Sequence, residues 1–144
     1  MARPAFLNEM AGRLIRADGR SRSAKSVETF GWLILAEALL IVFGPNTVAS
    51  LLRLPVLVEQ GASYFRLAGM LVGGLGMLYI ASGRLNSKEF VFASLLDRPL
   101  VPIAMAVLWR LGIIPGPLAL AFAIQDFGSF LWTLFALRSE QRNQ

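Results

Sequence analysis

The sequence predicts an all-α fold: a polytopic transmembrane four-helix bundle, preceded by a basic amphipathic N-terminal helix at the membrane interface. Three observations lead to this prediction: four apolar stretches separated by turn residues, an apolar composition, and a basic N-terminal segment. Hydrophobic residues make up 56% of the 144 residues and charged residues 16%, against about 25% charged residues in ordinary soluble domains. A chain of this size cannot bury so much apolar surface in water, so we expect it to lie in a bilayer.

The composition also limits the chemistry of the chain, because it contains no Cys and no His. Disulfides and metal sites built from thiolate or imidazole are excluded. Cysteine nucleophiles and histidine general bases are excluded as well. We therefore expect no metal, no cofactor and no enzymatic activity. The alternative is an intramembrane enzyme that uses Glu37 or Asp126 as a general acid or base.

The N-terminal segment, residues 1–25, is too polar to span a membrane and holds six of the 14 Lys and Arg residues. Its apolar residues recur at helical spacing: Phe6, Leu7, Met10, Leu14 and Ile15. This spacing predicts a helix in the plane of the interface, with a disordered basic tail as the alternative. Beside a membrane, basic side chains are expected to meet anionic lipid rather than nucleic acid. The residues concerned are Arg13, Arg16, Arg20, Arg22 and Lys25.

The transmembrane domain is expected over residues 26–138, with a polar tail at 139–144. Its spans are predicted at about 27–43, 62–83, 99–114 and 118–137. Turn residues such as Gly44-Pro45-Asn46 separate them, and Ser26 is predicted to cap the first.

The third predicted span, 99–114, is short for a full crossing. The preceding stretch, residues 84–98, is a polar loop with an apolar patch. It predicts either an interfacial helix or the early part of one long, bent third helix.

The distribution of basic residues predicts the orientation. We call side A the side of the N-terminal segment, the 84–98 loop and the C-terminal tail; side B is opposite. Side A carries 11 of the 14 Lys and Arg residues. The positive-inside rule then places side A, with both termini, in the cytoplasm. We expect a multi-pass protein of the inner membrane.

The second span contains a cluster of glycines: Gly69, Gly73, Gly74 and Gly76. Gly69 and Gly73 form a G-x-x-x-G spacing, which lets two helices approach closely in lipid. The contact is either dimerisation or packing against another span of the same chain, and we favour the second.

Four charged residues lie inside the spans, one in each: Glu37, Arg66, Arg110 and Asp126. The two acids are expected near the midplane, with Gln125 beside Asp126, and the arginines nearer side B. Three interpretations remain open: a polar pocket or proton path, ion pairs that fix helix packing, or arginines that snorkel to side B. Since such residues are expensive in lipid, all three require them to avoid the acyl chains.

This layout resembles small bacterial four-helix membrane proteins such as the BphX-like family. The resemblance rests on Glu37, Gly44-Pro45, Arg66-x-x-Gly69 with the following glycines, Arg110 and Asp126. It covers roughly residues 27–137 and implies a bacterial inner-membrane bundle, without an activity.

Two functions are compatible with these features. The first is a non-enzymatic accessory or assembly subunit whose partner is another membrane protein, or a second copy of this chain. The second is binding or transport of a small lipophilic or anionic molecule in a polar pocket inside the bundle.

Overall fold

The computed structural model describes residues 3–142, and over that range the chain is helical with no β-strand. The described residues form seven helices: α1 (Arg3–Arg16), α2 (Arg22–Phe43), α3 (Pro45–Leu51), α4 (Glu59–Arg84), α5 (Lys88–Asp97), α6 (Leu100–Arg110) and α7 (Gly116–Gln141). The predicted all-α class is confirmed.

Four helical segments are long and apolar enough to cross a bilayer. They are α2 with 22 residues, α4 with 26, α5 and α6 taken together with 23, and α7 with 26. At about 1.5 Å per residue, each reaches across a hydrocarbon core of about 30 Å. The chain is a multi-pass membrane protein, as its composition predicts.

The first span begins earlier than predicted, and the prediction of Ser26 as its N-cap was wrong. Ser21 caps α2 by accepting a hydrogen bond from the backbone N–H of Ala24 at 3.1 Å. Ser26 instead lies one turn inside the helix, where its hydroxyl is 2.7 Å from the carbonyl oxygen of Ser23. Ser21 and Ser26 both have a side-chain oxygen of the kind that accepts a hydrogen bond from a backbone N–H in the first turn of a helix.

The third span consists of two helices joined at Arg98 and Pro99, both of which keep helical backbone angles. The sequence explains the interruption. Pro99 and Pro102 have no backbone N–H, so neither can donate to the carbonyl four residues earlier. The Arg98 carbonyl accepts instead from Val101 at 3.3 Å. Residues 84–98 are therefore mostly helix rather than loop.

The spans pack as a row, in the order α4, α2, α7, α6. Helix α2 lies between α4 and α7, and α6 packs on the other side of α7. Within residues 3–142, α4 makes no backbone approach to α6 or α7. Helix α5 contacts α2, α4 and α7 near side A, so the row is bridged at that side.

Small residues bring α2 and α4 together. A Cβ added to Gly83 would lie 2.6 Å from Glu28 Cβ and 2.7 Å from the Ala24 carbonyl oxygen. A Cβ on Gly31 would lie 2.7 Å from the backbone nitrogen of Ile80. No side chain fits in these spaces, so the glycines set the separation of the two helices.

The predicted glycine cluster divides between two faces of α4. Gly69, Gly73 and Gly76 are buried against α2. Gly74 is exposed, and nothing lies within 4 Å of a Cβ added there. Assigning Gly74 to the packing face was therefore wrong, because it follows Gly73 directly and points about 100° away around the helix.

Candidate functional site

The most enclosed charge in the described part of the chain is Arg98, at the joint between α5 and α6, with no exposed surface. Its Nη1 donates to the backbone carbonyl of Ser129 at 3.0 Å and to Thr133 Oγ1 at 2.8 Å. Both acceptors belong to α7. The guanidinium thus connects the break in the third span to the middle of the fourth.

Two aromatic rings cover the same guanidinium. Its carbon lies 4.2 Å from the ring centroid of Phe30 on α2 and 5.2 Å from that of Tyr79 on α4. Phe30 and Tyr79 pack edge to face at 5.4 Å between centroids, and Tyr79 packs likewise on Phe90 at 4.9 Å. Cation–π attraction is strongest for desolvated cations, and Arg98 has no exposed surface, so these contacts help it to join four helical segments.

A chain of hydroxyl groups leads from Arg98 toward side A. Thr133 Oγ1, which accepts from Arg98, is 2.9 Å from the hydroxyl of Ser26, and both residues are almost fully buried. Beyond Ser26, Ser23 donates its backbone N–H and its hydroxyl to the Glu140 carboxylate at 2.8 and 2.9 Å. These bonds fasten the start of α2 to the end of α7.

Asp126 lies on the same face of α7 as Ser129 and Thr133, and it is 9% exposed. Its carboxylate is within electrostatic range of Arg98. Arg98 Nε and Nη2 have no hydrogen-bond partner among the described residues. Asp126 therefore interacts with Arg98 through its charge, without a direct hydrogen bond or ion pair.

The other predicted acid, Glu37, has a different partner. Gln125 Nε2 donates to Glu37 Oε2 at 2.9 Å, which joins α2 to α7 farther toward side B. Both side chains are half-buried. Glu37 and Asp126 lie close enough for their charges to interact.

The two predicted arginines do not join this group. Arg66 is exposed, and its Nε donates to the Val42 carbonyl at 3.2 Å. That carbonyl is one of the last four of α2, which a helix cannot satisfy internally. Arg110 is exposed at the end of α6. A meeting of all four charges is excluded by the packing, since α4 and α6 lie at opposite ends of the row.

A second ionic cluster lies at side A around Glu28, which is 7% exposed. Its carboxylate pairs with Arg20 and with Arg84, whose Nε lies 3.0 Å away. Arg84 Nη1 also donates to the Leu14 carbonyl at 3.1 Å, which attaches α1 to α4. Arg20 was predicted to contact lipid, but Glu28 holds it instead.

Four further basic residues, all among those predicted to face lipid, are exposed at side A: Arg13, Arg16, Arg22 and Lys25. Arg13 donates through Nη2 to the Leu85 carbonyl at 3.3 Å, a second attachment of α1 to the end of α4. The other three leave their charged groups free to face headgroups or solvent.

Arg98 and Glu28 are buried charges that were not predicted from the sequence. A signal for Arg98 was present, because Asp126, Ser129 and Thr133 recur at spacings of three and four along α7 and so share one face. A polar stripe inside an apolar span needs a polar partner, and Arg98 precedes a proline where the third span is interrupted.

No family model, curated protein or solved structure matches the chain. The resemblance to BphX-like proteins therefore stays a prediction. The site consists of hydrogen-bond donors and acceptors that join the helices to one another. One polar pair, Glu37 and Gln125, is only half-buried.

Proposed function

We propose that the chain is a non-enzymatic integral membrane protein that serves as an accessory or assembly subunit, with another membrane protein as its partner. The observation that carries the proposal is the Glu37–Gln125 pair, which is hydrogen-bonded at 2.9 Å but only half-buried. Polar side chains at this depth face other protein or a water-filled cavity rather than acyl chains. A partner helix supplies that cover.

The rest of the polar interior supports a structural role. Arg98 donates hydrogen bonds to Ser129 and Thr133, and Glu28 forms ion pairs with Arg20 and Arg84. Groups that are held by fixed internal partners are poorly placed to act on a substrate. Glu37 differs because the residue is only half-buried.

The surface around Glu37 is suited to another helix. Leu33 and Leu40 lie one turn before and after Glu37 on α2 and are 47% and 62% exposed. An apolar strip with one polar pair in the middle gives a partner helix both packing area and a hydrogen bond, which is worth about 0.6 kcal/mol on average in membranes. With the bias of basic residues toward side A, we place both termini in the cytoplasm of a bacterium.

Site-specific photo-cross-linking in native membranes tests the proposal. A cross-linking amino acid replaces Leu40, beside Glu37, and in a control replaces Leu75, which is 53% exposed on α4. We expect one membrane protein to be captured in stoichiometric amount at position 40 and much less at 75. Equal capture at both positions, or none at 40, contradicts the proposal. Capture of a second copy makes the chain a homo-oligomer instead.

A second candidate function is binding of a small lipophilic molecule, and one cavity favours it. The cavity has a volume of about 390 Å³ and lies between α6 and α7. Its walls are apolar or small: Pro102, Ala106, Trp109, Gly116, Ala119, Leu120 and Ala123. Drug-sized ligands occupy pockets of this order of size and character.

Mass spectrometry of molecules released from the purified protein distinguishes this candidate. Ala123→Leu fills the cavity, and Ala104→Leu adds the same bulk at an exposed position of α6 outside it. A compound that is retained by the Ala104→Leu variant and lost from Ala123→Leu supports ligand binding. If both variants release the same compounds as the unaltered protein, the cavity is not a binding site.

A further inference from the structure

Two neighbouring cavities lie where α1 packs against α2 and α4, and both are lined by Arg84. The first, of about 420 Å³, is polar and is lined by Arg13 and Arg16 of α1 together with Asn86. The second, also of about 420 Å³, is almost entirely apolar apart from Arg84. Its other walls come from three helices: Leu14, Ile15, Trp32, Leu35, Met77, Ile80 and Ala81.

The last turn of α1 lies between the two cavities, with its basic side chains lining one and its apolar side chains lining the other. Arg13 and Arg16 line the polar cavity, while Leu14 and Ile15 line the apolar one. Arg84 is fixed between them, because Glu28 and the Leu14 carbonyl hold its Nε and Nη1. A charged compartment thus lies beside an apolar one at side A of the spans.

The polar cavity has the donors that a phosphate needs. Three arginines line it, against the two acids Glu9 and Asp18. Each guanidinium carries five N–H groups, and the bond from Arg13 to the Leu85 carbonyl uses Nη2 only. Arginines bind phosphate oxygens through charge-assisted, often paired hydrogen bonds.

We propose that these two cavities together bind one anionic glycerophospholipid from the side A leaflet. Its phosphate lies against Arg13, Arg16 and Arg84. One acyl chain lies along Trp32, Met77 and Ile80. A free phosphate accounts for the arginines but not for the apolar compartment beside them. The bound lipid holds α1 against α4, so it is a structural lipid rather than part of the bulk bilayer. This inference is independent of the proposed subunit role.

Native mass spectrometry tests the headgroup half of the proposal. The full chain is purified in an uncharged detergent and offered phosphatidylglycerol or phosphatidylcholine with the same acyl chains. The variant Arg13→Gln/Arg16→Gln removes two charges from the cavity. The control Arg22→Gln/Arg138→Gln removes two exposed charges at the same side outside it. Arg84 stays intact in both, because it holds Glu28.

We expect one phosphatidylglycerol per chain and little phosphatidylcholine. An arginine near a membrane surface contributes about 1 kcal/mol to binding anionic lipid, or about fivefold in affinity. The cavity variant should therefore retain at least about fivefold less phosphatidylglycerol than the control. Equal losses in the two variants show diffuse attraction to a basic surface and overturn the proposal.

A second pair of variants tests the acyl-chain half without touching a charge. Met77→Trp fills the apolar cavity from an exposed position, and Met70→Trp makes the same change elsewhere on α4. Only Met77→Trp should lower phosphatidylglycerol retention.

Thermal unfolding with inorganic phosphate distinguishes a lipid headgroup from a free phosphate as the anion that the site binds. If phosphate stabilises the protein as much as the lipid does, the site takes a free anion and the lipid assignment is wrong.

Discussion

Nearer side A, the polar side chains that link α2, α7 and the third span are buried, whereas toward side B the polar pair that links α2 and α7 is only half-buried. Arg98, Thr133 and Ser26 are almost fully buried and joined by hydrogen bonds of 2.8 and 2.9 Å. Toward side B, Glu37 and Gln125 bond to each other but stay half-buried. The two groups of polar residues therefore differ in how completely the helices enclose them.

The difference follows from how the helices pack. Near side A, α5 bridges α2, α4 and α7, so charges there are enclosed. Toward side B, α6 packs on α7 and makes no contact with α4. Among the described residues, α7 covers the side of α2 that carries Glu37 only in part. If this comparison is right, changes near side A should alter folding, and changes at Glu37 should alter association.

The largest effect is expected at Arg98. Replacing it by Met keeps much of its volume but removes the donor to Ser129 and Thr133 and the positive charge that acts on Asp126. Leaving a buried polar group without its partner costs about 1–3 kcal/mol, and more for a charged group, so Arg98→Met should lower the free energy of unfolding in micelles by at least about that much. Arg110→Met, at an exposed position, is the matched control and should change it little.

A double variant sharpens this prediction. Asp126→Asn removes the uncompensated charge, so Arg98→Met/Asp126→Asn should recover part of the stability that Arg98→Met loses. A double variant that is no more stable than the single one shows that Asp126 and Arg98 are not coupled. The contribution of Arg98 to stability would then come only from its hydrogen bonds to α7 and its contacts with the rings of Phe30 and Tyr79.

A smaller effect is expected where α2 and α4 meet. A Cβ at position 83 would lie 2.6 Å from Glu28 Cβ, so Gly83→Ala forces the helices apart. Overpacking of this kind costs about 1–3 kcal/mol. Gly74→Ala meets nothing within 4 Å and should instead gain up to about 1 kcal/mol in helix propensity. Thermal unfolding should show a lower melting temperature for Gly83→Ala and a higher one for Gly74→Ala. Equal shifts in the two variants contradict the assignment of Gly83, and not Gly74, to the face of α4 that packs on α2.

The glycines also show what the sequence reveals and what it does not. The spacing of Gly69, Gly73, Gly76 and Gly83 follows one face of a helix, and that pattern alone excludes Gly74. Hydropathy likewise finds four spans, but it places the start of the third at residue 99, whereas the helical segment begins at Lys88. It places the start of the first span too late because the Arg22–Lys25 turn is polar, although Ser21 caps it.

Whether a charged side chain is buried depends on tertiary packing, which neither hydropathy nor residue spacing records. Arg98 is enclosed because Phe30, Tyr79 and α7 meet around it. No local pattern near position 98 contains that information. Arg66 and Arg110 resemble Arg98 in sequence, since each lies in or beside an apolar stretch. They stay exposed because the row of helices ends at α4 and α6. Packing order decides which arginine is buried.

The smallest effect on stability is expected for Glu37→Gln, which makes it the sharpest probe of the uncovered half. The new amide oxygen still accepts from Gln125, so the free energy of unfolding should change by less than about 1 kcal/mol. The charge, however, is gone from the surface offered to a partner. Photo-cross-linking from position 40 should therefore fall while the purified chain unfolds at nearly the same temperature. Gln125→Leu, which removes the donor and leaves the acid, is the complementary variant. If Glu37→Gln unfolds the chain without changing capture, Glu37 belongs with Arg98 as a folding residue, and the two halves do not differ in purpose.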